Sequence, residues 1–204
     1  MAESQNAKSE IKIILLGNAG VGKTSIILRY YKNKFENNNI STIGSTFVIK
    51  ELQRDNITYK LNIWDTSGQE KYRSVTKLFV QGAKIIILVY SIDNKESFDI
   101  LDFWHKSILE ISEGEENIVL AIVGNKSDMF EDAVITEEEG KKYADGKKAI
   151  FKLVSAKDDP KGISSLFDTL LDELIRKNPN LKLGQNNFKI DNTTKKTKKH
   201  GKCC

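Results

Sequence analysis

Residues 11–32 have the sequence IKIILLGNAGVGKTSIILRYYK, and this stretch decides the fold class. An apolar run, Ile11–Leu16, is followed by a glycine-rich loop and then by apolar residues at helical spacing. The loop, residues 17–24, has the spacing G-x-x-x-x-G-K-[ST], whose glycines let successive backbone N–H groups point into one anion-binding concavity. Because the order strand, loop, helix is the context in which this spacing binds phosphate, we predict a phosphate site here.

Two side chains of this loop, Lys23 and Thr24, are expected to play different roles in binding a nucleotide. Lys23 supplies a compact positive charge to the β- and γ-phosphates of a nucleotide, and the Thr24 hydroxyl takes a coordination position on Mg²⁺. The plainer alternative is a glycine loop that merely precedes a helix, and the loop by itself does not choose between ATP and GTP. The other residues expected around the phosphates are Ala19, Gly20, Val21, Gly22 and Ser25.

Two later segments predict which base is bound. Asn125-Lys126-Ser127-Asp128 follows the apolar run IVLAIVG, and Ser155-Ala156-Lys157 follows IFKLV. Both lie beyond the C-terminal end of a predicted strand, where open α/β sheets bind ligands. Asp128 can accept two N–H bonds from guanine, whereas adenine offers no such donor pair and would leave the charged acceptor unpaired. The two segments together therefore predict guanine specificity.

The expected guanine contacts come from both backbone and side chains. The backbone N–H of Ala156 is placed to meet guanine O6, and the stems of Lys126 and Lys157 can cover the faces of the ring. Asn125 and Ser155 complete the predicted set of base-side residues.

The segment Trp64–Glu70, WDTSGQE, contains the residues expected to act on the γ-phosphate. Asp65 can hold Mg²⁺ through water, and Gly68, which has no side chain, can bring its N–H to the γ-phosphate. Gln69 is the candidate catalytic residue because its amide can orient the attacking water. Thr42 is the loop residue expected to reach Mg²⁺ when the γ-phosphate is present. Any one of these polar loop residues alone would be read as a solvent contact, but together they predict hydrolysis.

Alternating apolar runs and helical patterns predict an open α/β sheet. Residues 47–53 and 57–64 form a predicted hairpin around the turn Arg54-Asp55-Asn56, which makes one edge antiparallel. The remaining predicted elements are a strand at 84–91, a helix at 97–111, a strand at 118–124, a helix opened by a capping box at Thr136–Glu139, a strand at 150–154 and a helix at 163–177.

Charge is distributed unevenly along the 204 residues. From Lys182 onward there are seven Lys and one acid, a balance of +6, so a net charge of +4 leaves −2 for the rest. A near-neutral domain with a basic tail does not suit a nucleic-acid groove, and no nucleic-acid partner is expected. We predict a disordered N-terminus at 1–9, one domain at 10–178 and a flexible basic tail at 179–204.

Cys203 and Cys204 are the only cysteines of the chain. The domain therefore needs no disulfide and fits a reducing compartment. No apolar run approaches the roughly eighteen residues of a membrane span, and the N-terminus has no signal-peptide pattern.

The set GNAGVGKT, STIG, WDTSGQE, GNKSD and SAK resembles the Ras superfamily of small GTPases over about residues 11–177. Within it, ISTIG, KLNIW, WDTSGQE-KYRS, QGA and the terminal Cys-Cys resemble the Rab branch. The resemblance implies a P-loop NTPase small G domain: a six-stranded, mostly parallel sheet with one antiparallel edge strand and helices on both faces. It also implies two switch loops, about 36–46 and 65–80, that γ-phosphate and Mg²⁺ order.

The same resemblance implies further residue roles. Phe35 matches the aromatic that stacks on the guanine edge. Phe47, Trp64 and Phe79 match the hydrophobic triad that effectors contact, for which ordinary core packing is the alternative. Cys203 and Cys204 are expected to receive two geranylgeranyl chains, because a single lipid chain anchors a protein only marginally.

The implied function is a guanine-nucleotide switch with Mg²⁺ and GTP or GDP as ligands, which slowly hydrolyses GTP and recruits effectors for vesicle transport. Its expected partners are a GTPase-activating protein, an exchange factor, a GDP-dissociation inhibitor, an escort protein and effectors. A partner's arginine accelerates such hydrolysis up to about 10⁵-fold, and residues 34–46 of this chain contain no Arg. We expect a monomer on the cytoplasmic face of an intracellular membrane, cycling with the cytosol, and IGSTF slightly favours an endocytic member.

Two alternatives remain open from the sequence. An ATP-using P-loop kinase is a different class of enzyme, and Asp128 argues against it. A GTP-loaded scaffold with negligible hydrolysis is conceivable because Ser67 stands where Rab proteins usually have Ala, which puts a hydroxyl beside the catalytic loop.

Overall fold

The computed structural model describes residues 8–36, 45–54, 56–68, 73–112 and 117–183. Its strands are β1 (Lys8–Leu16), β2 (Ser45–Arg54), β3 (Ile57–Thr66), β4 (Ile85–Ser91), β5 (Val119–Asn125) and β6 (Ile150–Leu153). Its helices are α1 (Lys23–Lys32), α2 (Arg73–Val80), α3 (Lys95–Asp99), α4 (Leu101–Ile111), α5 (Glu137–Gly146) and α6 (Pro160–Lys177). Two 3₁₀ segments, Ser127–Asp132 and Pro179–Leu183, complete the described elements.

The six strands form one sheet in the order β2-β3-β1-β4-β5-β6. The β2–β3 pair is antiparallel and every other pair is parallel. This confirms the predicted six-stranded, mostly parallel sheet with an antiparallel edge strand. Because β1, β3, β4, β5 and β6 run in one direction, their C-terminal ends share one edge of the sheet, and the loops that follow them meet there.

Two apolar cores cover the two faces of the sheet. Alternate residues of β1 point to opposite faces, as a strand requires. Ile13 and Leu15 belong to one core, together with α1 and α6. Ile14 and Leu16 belong to the other, together with α4 and α5. All seven residues of β4 are buried, which explains why its sequence is apolar without alternation.

Polar caps decide where several helices begin. The predicted capping box is present, since Glu139 N–H donates to Thr136 Oγ1 and Thr136 N–H donates back to Glu139 Oε2 at 2.8 Å. The bonds that the backbone N–H and the hydroxyl of Thr136 donate to Glu139 Oε2 lower the pKa of Glu139. Asp159 caps α6 by accepting from Gly162 N–H at 2.8 Å, so that helix begins at Pro160, three residues before the prediction.

The structure also differs from the predictions at the ends of the domain. Strand β1 begins at Lys8, paired with Thr58 of β3, so the sheet includes the last two residues of the predicted lead-in 1–9. After α6, the chain continues in the 3₁₀ segment Pro179–Leu183, where the flexible tail was predicted to begin. Within the described residues, no helix combines the length and the apolar character needed to cross a membrane.

Candidate nucleotide site

A cavity of about 560 Å³ lies where the loops after β1, β3, β5 and β6 meet. It brings together most of the predicted site residues, from both the phosphate and the base segments. Those on its wall are Ala19, Gly20, Gly22, Lys23, Thr24, Ser25, Phe35, Asn125, Lys126, Asp128, Ala156 and Lys157. The wall also includes Glu36, Thr66, Ser67 and Met129, which the sequence did not single out as contacts.

The phosphate loop is shaped by positions that only glycine can occupy. Gly17 has φ 143°, and a Cβ there would lie 2.1 Å from Val89 O. Gly22, at the N-terminus of α1, has φ 93° and would place a Cβ 2.3 Å from Asn125 Nδ2. Lys23 is 4% exposed, and its ammonium donates to Gly17 O at 2.8 Å and Asn18 O at 2.9 Å. The positive charge is therefore held against the loop.

Two oxygen ligands suited to a hard cation meet beside this loop. Thr24, in the first turn of α1, donates from Oγ1 to Asp65 Oδ2 at 2.7 Å. Asp65 is a buried carboxylate near the end of β3. Oxygen donors of this kind are those that Mg²⁺ prefers, and it retains several waters and substrate oxygens beside them. The donor set therefore fits the predicted Mg²⁺, while the third predicted ligand, Thr42, lies outside the described residues.

The loop after β3 lies directly on the phosphate loop. Gly68 has φ 76°, and a Cβ at this position would lie 2.4 Å from Ala19 N and 2.6 Å from Lys23 Nζ. Gly68 is thus brought to the place where its backbone could face a terminal phosphate. The predicted catalytic residue, Gln69, lies outside the described residues.

Asn125, at the end of β5, joins the phosphate side of the site to the base side. Its side chain is buried, with Nδ2 donating to Val21 O at 2.8 Å and Oδ1 accepting from Ala156 N–H at 3.1 Å. Val21 therefore supports the loop from inside and is not on the cavity wall. Ala156 N–H, which we predict to meet guanine O6, donates here to Asn125, so O6 would have to share or replace that bond.

Asp128 is held in place by the segment that follows β6. Ser155 Oγ donates to Asp128 Oδ1 at 2.6 Å, and Lys157 Nζ lies 3.7 Å from Asp128 Oδ2. Ser155 Oγ in turn accepts from the backbone N–H groups of Lys157 and Asp158, at 3.1 and 2.9 Å. Ser155 is itself buried. Ser155 therefore holds Asp128 in place, and the next two residues, Ala156 and Lys157, form part of the cavity wall.

Sequence reasoning missed a residue that holds Lys126. Asp93, just after β4, accepts from Lys126 Nζ at 3.4 Å and from the hydroxyl of Ser91. Burial opposes ionisation of Asp93, but the bond from Ser91 and the Lys126 charge outweigh it and lower its pKa. In the sequence, only the position of Asp93 could have indicated a role at the site, since it follows the C-terminal end of a central strand.

The predicted effector triad lies together at the β2–β3 edge of the sheet. The rings of Phe47 and Trp64 stack with centroids 5.1 Å apart, and Phe79 lies 6.3 Å from Trp64. Phe47 is 54% exposed and the neighbouring Leu78 is 71% exposed, so ordinary core packing does not account for this patch. Trp64 also packs against one core, which means that it serves both surface and interior.

Comparison with known proteins agrees with this geometry. The model of the Ras family matches residues 12–176. The chain is 37% identical to Ras-related protein Rab-22A of Homo sapiens over 198 residues, covering 97% of this chain and all of that protein. It is 41% identical to Ras-related protein Rab-17 of Mus musculus, covering 81% and 76% of the two chains. Identity to Ras-related protein Rab-3A of Homo sapiens is 38%, covering 86% and 79%.

The family match, residues 12–176, spans the phosphate loop, both base segments, strands β2 to β6 and most of β1. This chain therefore belongs to the Rab family of Ras-superfamily small GTPases, the GTP-binding switches of vesicle trafficking.

Proposed function

We propose that this chain binds GTP and GDP with Mg²⁺ in the cavity at the C-terminal edge of the sheet, and that it alternates between two states as GTP is hydrolysed. One observation carries the assignment: a single cavity has Lys23 and Thr24 on one part of its wall, with Asp65 bonded to Thr24, and Asp128 on another part. The first group suits phosphate and a hard cation, and Asp128 suits the donor edge of guanine.

The chain's own residues act by binding and positioning. Lys23 and the loop amides would neutralise phosphate charge, and Thr24, Asp65 and Thr42 would hold the Mg²⁺. When bound, Mg²⁺ neutralises charge that develops on the phosphate oxygens. Asp128, Ala156 and the two lysine stems select guanine. These assignments follow the residues that line the cavity and the family to which the chain belongs.

Hydrolysis depends on the segment after β3. Gln69 orients the attacking water, and Gly68 supplies a backbone N–H at the γ-phosphate. Ser67 lies on the cavity wall, which supports an influence of its hydroxyl on the rate. This placement favours one second candidate, a GTP-loaded scaffold that hydrolyses very slowly. Single-turnover hydrolysis by the parent chain and by Ser67→Ala separates the two, because a scaffold would gain a measurable rate from the substitution.

The switch acts at a membrane through parts of the chain that lie away from the nucleotide. Effectors contact the patch of Phe47, Trp64 and Phe79, and the exposure of Phe47 supports such a role. Geranylgeranyl chains on Cys203 and Cys204 anchor the protein to the cytoplasmic face of an intracellular, endocytic membrane. The basic tail adds roughly 1 kcal/mol per Lys near an anionic leaflet. An activating protein, an exchange factor, a GDP-dissociation inhibitor and an escort protein regulate this monomer.

Nucleotide competition tests the proposed site. Fluorescent GDP bound to the parent chain should be displaced by GDP, and hardly by ADP or XDP. In Asp128→Asn, an amide replaces the carboxylate and suits xanthine better than guanine. We therefore expect affinity for GDP to fall at least about tenfold, since bonds to a charged group contribute about 1.5–3 kcal/mol each. Affinity for XDP should rise.

Asp132→Asn makes the same change on an exposed residue at the end of the same 3₁₀ segment and should bind GDP as the parent does. Unchanged GDP affinity in Asp128→Asn would show that Asp128 does not read the base.

A further inference from the structure

Arg29 of α1 binds two segments that are far apart in the sequence. Its Nε donates to Ala156 O at 2.8 Å, and one terminal nitrogen donates to Lys157 O at 2.7 Å. The other terminal nitrogen donates to Asn33 O at 3.1 Å. A planar guanidinium presents its donors in a fixed fork, so one side chain satisfies three carbonyls in different directions.

Both segments contribute to the wall around the base. Ala156 and Lys157 lie on the cavity wall and follow β6. Asn33 ends α1 in a left-handed conformation, φ 52°, and the chain then reaches Phe35, which lies on the same wall and packs against a core. The guanidinium therefore stands behind the base end of the cavity and ties one part of its wall to another.

The loop after β6 is held from two sides. From the cavity side, Asn125 accepts from the N–H of Ala156. From the opposite side, Arg29 donates to the carbonyls of Ala156 and Lys157. The same loop supplies Ser155, whose hydroxyl fixes Asp128. Arg29 is thus linked to Asp128, the carboxylate proposed to read guanine. Arg29 holds Lys157, whose N–H donates to Ser155 Oγ, and that hydroxyl donates to Asp128.

We propose that Arg29 is a positioning residue for guanine recognition, which sets how long the nucleotide stays bound and how well guanine is distinguished from related bases. This inference rests on the proposed guanine site. The side chain of Arg29 acts through its hydrogen bonds to Ala156, Lys157 and Asn33. Its loss loosens the base end of the site and leaves Lys23, Thr24 and Asp65 in place.

The experiment measures dissociation of fluorescent GDP and fluorescent IDP from full-length Arg29→Ala, with Mg²⁺ and with EDTA. IDP lacks the exocyclic amine of guanine, whose N–H group would donate a hydrogen bond to Asp128. We expect GDP to leave about tenfold faster, equivalent to one charge-assisted hydrogen bond, and the preference for GDP over IDP to shrink. The acceleration produced by EDTA should keep the parent's magnitude, because the Mg²⁺ ligands are untouched.

Two further variants sharpen the result. Arg29→Lys keeps the charge and the stem but has no fork, so it should show an intermediate dissociation rate, and it replaces the Ala variant if that one fails to fold. Arg54→Ala removes an arginine bonded away from the loop after β6, to Asp168 of α6 at 2.6 Å, and should leave both rates at the parent's values.

The outcomes separate the inference from the function beneath it. A parent chain that does not prefer GDP over ADP contradicts the proposed guanine site. A parent that binds GDP selectively, with Arg29 variants that release GDP and IDP at the parent's rates, overturns the inference alone. Equal acceleration for GDP and IDP, with the preference unchanged, would also overturn it, because Arg29 would then support only the fold.

Discussion

Tyr90 in β4 is the position where a stability measurement tests the packing of the core most directly. Its side chain is 0% exposed, and among the described residues its hydroxyl has no hydrogen-bond partner. The hydroxyl lies against two glycines, since a Cβ at Gly140 would come within 2.3 Å of it and one at Gly124 within 2.7 Å. Burial, with the nearby charges of Glu137 and Glu139, raises the pKa of Tyr90, so the group stays neutral.

The substitution Tyr90→Phe removes this oxygen and keeps the ring, including its edge contact with Phe98. A buried hydroxyl without a partner destabilises the folded state by about 1–3 kcal/mol. Removing it relieves this cost, but the void left by the oxygen offsets part of the gain. We therefore expect the free energy of unfolding to rise by about 1 kcal/mol, which raises Tm by about 2–4 °C for a chain of this size.

Tyr143→Phe is the matched control, because it deletes the same atom where that atom is bonded. Tyr143 donates to Asp102 Oδ1 at 3.0 Å, so its loss should lower the free energy of unfolding by about 0.5–1.5 kcal/mol. Both variants are unfolded in urea at one fixed excess of GDP, since bound ligand adds to apparent stability. If Tyr90→Phe destabilises the protein as Tyr143→Phe does, the Tyr90 hydroxyl has a partner and the reasoning fails.

Three other changes test the switch and its location. Thr24→Asn removes the hydroxyl that donates to Asp65 and should weaken Mg²⁺-GTP binding more than GDP binding, measured by titration in defined Mg²⁺; equal affinity in both states would contradict the assigned ligand. Gln69→Leu should bind GTP normally but hydrolyse it more slowly in a single-turnover assay, and the parent's rate in this variant would remove Gln69 from the mechanism. Deletion of Cys203 and Cys204 should make the protein wholly cytosolic with unchanged nucleotide binding; membrane fractionation at the full-length level, or an intact mass without added lipid in the parent, would refute the anchor.

The central elements could be predicted from the sequence because local patterns determine them. Strand β4 is apolar on both faces since both faces are covered, and Thr136 and Glu139 lie close enough in the chain to cap each other. Boundaries set by other contacts were missed. The helix predicted at 97–111 is two helices, α3 and α4, divided at Ile100. It also starts two residues earlier, because Asn94 caps α3 by accepting from Ser97 N–H. The polar start of β1 is decided by its pairing with β3, which no local pattern records.

The candidate site divides in the same way. Residues whose spacing is dictated by a ligand, such as Lys23 and Asp128, stand in recognisable motifs. Arg29 binds backbone carbonyls 127 and 128 residues away, and any residue type can supply a carbonyl, so no pattern marks the contact. Asp93 was also missed, because its partner Lys126 was predicted to cover the guanine ring and no second contact was expected of it.

The side-chain amide of Asn125 is bonded on both sides, to Val21 O and to Ala156 N–H. We therefore expect loosening of the phosphate loop to disturb the loop after β6, which we propose covers the base, and the reverse to hold equally, because coupling between two sites is reciprocal. A regulator that displaces only the phosphate end thus weakens the grip on the whole nucleotide. We therefore expect nucleotide release from this chain to be cooperative, with the Asn125 amide joining the two loops.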